Sequence, residues 1–172
     1  MKKYLFLFVV VLFTGLVPAQ TQKIGYVDSQ VILTQLPEAI KAQGDLDALY
    51  SKWKGQLDSL TQVVQQDYAD YQKQMNTMPE DKKKTREAEI LKKQQAAQEF
   101  NVQKFQQPNG EFFKKQEEIF NPIKEKIYKA IAEVAKAEGY QYIFDKSTDA
   151  IILFADPAFD MTYRVMDKLK RG

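Results

Sequence analysis

One helical period runs through most of this chain and limits what it can fold into. Leu46, Leu49, Trp53, Leu57, Leu60, Val64, Tyr68, Tyr71 and Met75 follow one another in steps of three and four residues. That spacing lines apolar side chains along one face of an α-helix. The steps contain two consecutive eleven-residue periods, so the run predicts a straight or slightly right-handed arm rather than a strict heptad coil. Pro37 and Glu38 suit its first turn, and from Glu38 to Met75 it would extend about 55 Å. A chain that spends so much of its length on one arm is built to reach and to associate.

The arm should reverse near residues 76–80. Asn76 can take a left-handed closing conformation there, and Thr77 with Glu80 has the spacing of a capping box. The second helix then runs back to about Ala137, with Val64 facing Leu91 and Trp53 facing Val102 to within a turn. Pro108-Asn109-Gly110 interrupts it. An interior proline costs a helix about 3 kcal/mol and a glycine about 1 kcal/mol more, so Pro108 and Gly110 predict a break and are candidates for a hinge that lets the arm splay. Pro37 and Pro122 mark where arm meets body, and Gly139 closes the helix in the left-handed position.

The amino terminus predicts export. Lys2 and Lys3 precede an apolar run from Tyr4 to Val17, and Val17-Pro18-Ala19 ends it in the manner signal peptidase accepts. Residues 1–19 therefore read as a cleavable signal peptide, with a retained anchor as the alternative, and the mature protein as periplasmic. The whole chain carries 25 Lys and Arg against 23 Asp and Glu. Losing Lys2 and Lys3 leaves it formally neutral, which gives no overall attraction for nucleic acid. Cysteine and histidine are both absent, removing thiolate and imidazole catalysis and most zinc sites. The seven glycines never gather into a phosphate-cradling loop. No catalytic residue, cofactor or metal site is expected, and the chain reads as a non-enzyme.

Residues 80–99 hold only Ile90 and Leu91 as large apolar side chains, among Lys82, Lys83, Lys84, Arg86, Lys92, Lys93 and five acids. A solvated helix with opposite charges three or four apart accounts for this stretch. The small local excess of positive charge leaves peripheral contact with membrane lipid as a second reading. The arm aromatics Tyr50, Trp53, Tyr68, Tyr71, Phe100, Phe105, Phe112 and Phe113 exceed what a two-helix seam covers and are candidates for binding a partner. Phe112 and Phe113 point about 100° apart on a helix, so one of them should face away from the seam.

The base is short of cover. Strand-like segments lie at Lys23 to Val27, Tyr140 to Asp145 and Ile151 to Ala155. A three-stranded sheet with two apolar faces and open edges is an association surface, and a homo-oligomer is the expected state. Ile24, Tyr26, Val27, Tyr142, Ile143, Phe144, Ile152, Leu153 and Phe154 are the candidate oligomerisation residues. The fold class is α+β and mostly helical, a long antiparallel coiled-coil hairpin (38–121, tip near 76–80) projecting from a small β-sheet body (20–37 and 122–172).

Ile24-Gly25-Tyr26-Val27-Asp28-Ser29 running to Leu36-Pro37-Glu38, Pro122-Ile123 through Val134-Ala135, and Tyr140 to Asp145 followed by Ala155-Asp156-Pro157 and Asp160 resemble the Skp/OmpH family of periplasmic chaperones. The resemblance spans the mature chain. It implies a jellyfish-shaped homotrimer whose arms enclose a cavity for unfolded outer membrane β-barrel proteins, held without ATP on the way to the outer membrane. Two departures stand out: well-known members are strongly basic, and the family usually runs a continuous helix where Pro108 to Gly110 lies. The competing class is a structural envelope adaptor or spacer whose arms pair with one defined partner. Suppressed aggregation of several unrelated barrel proteins separates the two.

Overall fold

The computed structural model describes residues 22–148 and 152–171; the expected signal peptide lies outside them. Strand β1 (Ile24–Val27) is followed by helix α1 (Ser29–Gln35), whose N-cap Asp28 accepts the Val31 N–H at 2.9 Å. Leu36 is extended and Pro37 takes the first position of α2 (Pro37–Gln74), where its missing N–H costs nothing. After the tip come α3 (Glu80–Phe105), a break over 106–110, and α4 (Glu111–Glu138). Gly139, at φ 73°, ends α4 in the left-handed conformation expected of it. Strand β2 (Tyr142–Asp145), a 3-10 turn (Pro157–Phe159) and α5 (Thr162–Arg171) complete the chain.

β1 and β2 pair in parallel, Ile24 beside Tyr142 and Val27 beside Asp145. Parallel neighbours need a crossover connection, and the whole helical hairpin supplies it. The expected third strand is not formed: residues 152–155 are irregular, while Ile151 lies outside the described residues. Apolar side chains at Ile152, Leu153 and Phe154 signalled a strand, but within one chain β1 already has its second neighbour. Tyr26 bridges to Asp160 instead, and its carbonyl accepts the Met161 N–H at 2.8 Å.

The core lies where α1, the start of α2, the end of α4 and α5 meet the inner face of this small sheet. Ile32, Met161 and Val165 are cut off from solvent, packed with Val27, Ile127 and Leu169. Ile123, Ile127, Ala130 and Val134 form the dense stripe expected beyond Pro122, although α4 runs through that proline without ending. Gly25 is required at its place, since a Cβ there would stand 2.8 Å from the Tyr140 ring and 3.1 Å from Ile143.

At the tip two sequence expectations fail. Asn76 does not adopt positive φ, and Thr77 forms no capping box. Pro79 occupies the N-cap, which has no side-chain cap, and the Thr77 hydroxyl turns back to the Gln74 carbonyl at 3.1 Å. Trp53 meets Phe105, and Tyr71 meets Glu87, so the helices lie about one turn from the expected register.

Candidate functional site

The base presents one covered and one uncovered face. Val27 and Ile143 point into the protomer's own core, and Tyr26 is buried with the Lys146 ammonium 5.5 Å from its ring centre. On the other side Ile24, Tyr142 and Phe144 are about half exposed. The segment after β2 adds Ile152, Leu153 at 94 % and Phe154 at 85 % exposure. Of the nine candidate oligomerisation residues, six thus remain available to a partner and three are used internally.

Asp145, at the end of β2, ties that strand to the start of α1 and to the turn beyond it. Its Oδ1 accepts from the Ser29 N–H at 3.1 Å and from the Ser147 N–H and hydroxyl at 3.0 and 2.8 Å. Burial raises this carboxyl's pKa, but the hydrogen bonds from Ser29 and Ser147 outweigh it and hold the group below the ordinary aspartate value.

Up the arm, the helix break gathers aromatic residues from both strands of the hairpin. Tyr50 meets Phe105 and Phe112 edge-on at 5.4 and 5.5 Å, Trp53 meets Phe105 at 6.4 Å, and Phe112 meets Phe113 at 5.6 Å. Phe112 and Phe113, one of which should face away from the seam, are both half-buried. Lys104 completes the arrangement: its ammonium lies 4.9 Å from the Trp53 ring centre and 5.8 Å from Phe100, and pairs with Glu111 at 2.5 Å across the break.

The break itself runs from Gln106, where α3 ends in an extended conformation, to Gly110, the N-cap of α4, with Pro108 between them. Gly110 closes so tightly on Gln106 that a Cβ would come within 2.8 Å of the Gln106 nitrogen and the Lys104 carbonyl oxygen. Below it, Leu33, Ala39, Ile40 and Phe120 line an open groove of about 920 Å³ at the arm's root.

Toward the tip the chemistry changes. Tyr68, placed in the seam by the apolar pattern, is 52 % exposed, and Asp67 takes the seam position instead. Its side chain is only 17 % exposed and accepts from Arg86 at 3.1 Å and Lys93 at 2.5 Å. The Lys93 hydrogen bond, with the charges of Lys93 and Arg86, holds the Asp67 carboxyl below its ordinary range. One turn on, the buried Tyr71 donates its hydroxyl to Glu87, which pushes the phenol's pKa up. Sequence reasoning missed Asp67; the signal available was its place three residues after Val64 and four before Tyr71.

Among the described residues no cluster of acidic side chains is arranged to hold a metal ion, and no helix is long and apolar enough to cross a membrane. What the site offers is surface: an apolar face at the base, an aromatic joint, and a polar far arm.

Comparison with known proteins places this architecture. A solved structure of an OmpH-like protein described as an outer membrane chaperone, from Caulobacter crescentus, superimposes with a TM-score of 0.70 at 14 % identity, covering 88 % of this chain and 85 % of that one. A search of curated protein sequences gave no match. The family model for outer membrane proteins of the OmpH-like kind matches residues 23–169. With nearly all of the described residues inside that match, the chain belongs to the OmpH-like family.

Proposed function

We propose that this protein is an ATP-independent holdase chaperone of the periplasm, which binds unfolded outer membrane β-barrel proteins between the arms of a homotrimer and keeps them from aggregating. In this reading residues 1–19 are removed on export, 20–37 with 122–172 form the assembling body, and 38–121 form the arm. Membership of the OmpH-like family supports the chaperone role. The observation that carries the assembly is the uncovered base, where Leu153 and Phe154 stand almost wholly in solvent beside Tyr142 and Phe144. Side chains of that size gain about 1.5–3 kcal/mol each on full burial, and a sibling's identical face is the closed, symmetric way to provide it.

The arms then supply area rather than a deep pocket. Several weak contacts held together act at high effective concentration, so Tyr50, Trp53, Tyr68, Phe100, Phe105, Phe112 and Phe113 need only brief contact with an extended client. Tyr71, buried against Glu87, contributes only if the hairpin opens. In this reading Pro108 and Gly110 act as the hinge, beside the aromatic joint.

The test is a native mass measurement of the mature protein with and without an unfolded barrel protein, paired with light scattering of several unrelated barrel clients. Three copies and suppression of aggregation across clients at stoichiometric amounts support the proposal. The double change Leu153→Asp with Phe154→Asp should give a folded monomer that no longer suppresses aggregation. A wild-type monomer at micromolar concentration, or protection of a single client alone, would overturn it.

A further inference from the structure

The far arm is held together differently from its root. Beyond Leu60 the seam of α2 passes through Val64, Asp67 and Tyr71, and on α3 the residues that meet it include Lys83, Arg86 and Ile90. Among the described residues there, Tyr71 and Ile90 alone are buried, and each keeps 8 % exposure. Arg86 and Lys93 are two turns apart on one face of α3 and close on the same carboxylate, Arg86 on Oδ1 and Lys93 on Oδ2. Arg86 also reaches Glu89 at 3.0 Å, so its place on α3 is fixed from its own helix. A slide of the two helices by one turn would take Asp67 out of the middle of the Arg86–Lys93 pair and leave it at most one partner.

A half-buried carboxylate without its partners is costly, while apolar packing of so few residues distinguishes registers weakly. We propose that the Asp67–Arg86–Lys93 bridge is a clasp that fixes the register of the far arm and makes its closure depend on ionic strength, so that salt opens the tip while the aromatic joint stays shut. Raising salt from about 0.01 M to 1 M shortens the screening length from about 30 Å to 3 Å. Arg86 and Lys93 keep partial access to solvent, so screening reaches them. At the root Tyr50, Trp53, Phe105 and Phe112 close on one another through ring contacts that salt does not weaken, and the Lys104–Glu111 ion pair there joins α3 to α4 rather than either of them to α2.

The absence of cysteine allows clean labelling. Spin labels at Gln62→Cys with Gln95→Cys would report the far arm, and at Lys52→Cys with Gln103→Cys the joint, all four being exposed positions. Labelled full-length mature chains are diluted into a large excess of unlabelled protein, so that only distances within one arm are read. The far pair should show a narrow distribution at low salt that broadens at about 1 M salt, while the joint pair stays unchanged. Asp67→Asn should broaden the far pair at low salt and lose the salt response. The proposal is overturned if the unmodified seam ignores salt, if Asp67→Asn keeps the parent's salt response, or if both pairs broaden together. The salt series on unmodified Asp67 decides the matter even if the variant folds poorly, and neither outcome depends on whether clients are bound.

Discussion

At the base Ile32, Met161 and Val165 have no contact with solvent, whereas in the far arm the best-buried side chains among the described residues, Tyr71 and Ile90, each keep 8 % exposure. The difference is one of geometry before composition. A residue at the base is surrounded by α1, α2, α4, α5 and a sheet face, so several elements share the work of excluding water. In the arm two cylinders touch along one line, and each can hide a single stripe. Stability at the base therefore comes from burial and is cooperative. In the far arm it comes from pairwise contacts, of which the Asp67 bridge is the most enclosed, and local opening there need not disturb the body.

The largest test of this contrast is Ile127→Ala. Ile127 is 2 % exposed in the middle of the core, and its truncation should cost about 2–5 kcal/mol, lowering the urea midpoint of the whole protein. Gly25→Ala should come next, at about 1–3 kcal/mol, because the added methyl drives into the Tyr140 ring. Ile90→Ala removes a residue of similar burial to many in the core but with a single neighbouring helix. Its cost should be only about 1–2 kcal/mol, read as faster hydrogen exchange in α2 and α3 with the exchange of α4 and α5 unchanged. If Ile90→Ala matches Ile127→Ala in the global midpoint, the two regions are one cooperative unit and the contrast fails.

Acid gives the smallest and most local effect. The Asp67 pKa lies below the ordinary aspartate value of 3.8, so its stabilising contribution is complete above that pH and is lost as pH falls through the lowered folded value. Glu133 is lowered from 4.5 in the same way by the hydrogen bond from Lys168 that joins α4 to α5. Far-arm label distances should therefore broaden only below about pH 4. Broadening at about pH 6 would point to a group other than these carboxylates.

The sequence made the hairpin legible because period is a property of one strand of chain: Leu46 through Val64 repeat at helical spacing, and their order alone places them on one face. Two of the three strand segments expected at the base were equally plain, and so was the break at Pro108 to Gly110. What escaped was whatever depends on a facing surface. Tyr68 looked like a seam residue because it is apolar, yet the seam turns through Asp67, whose reason for being there is Arg86 and Lys93 on the other helix. Ile152 to Phe154 looked like a strand because they are apolar, but a strand needs an edge to pair with. Asn76 and Thr77 had the residue types of a closing turn, but Thr77 bonds back to the Gln74 carbonyl through both its N–H and its hydroxyl instead of capping the next helix.

The parallel pairing of β1 with β2 has a consequence for how such a chain is made. Ile24 finds its neighbour only at Tyr142, after both long helices and the joint between them have been laid down. Contacts that join such distant points in sequence form late, since the intervening loop must first be closed. In a chain emerging amino end first, the finger therefore takes shape before the palm. The apolar base is completed after the arm, and the interval during which Val27 lacks its cover is set by the time needed to deliver the stretch from β2 through α5.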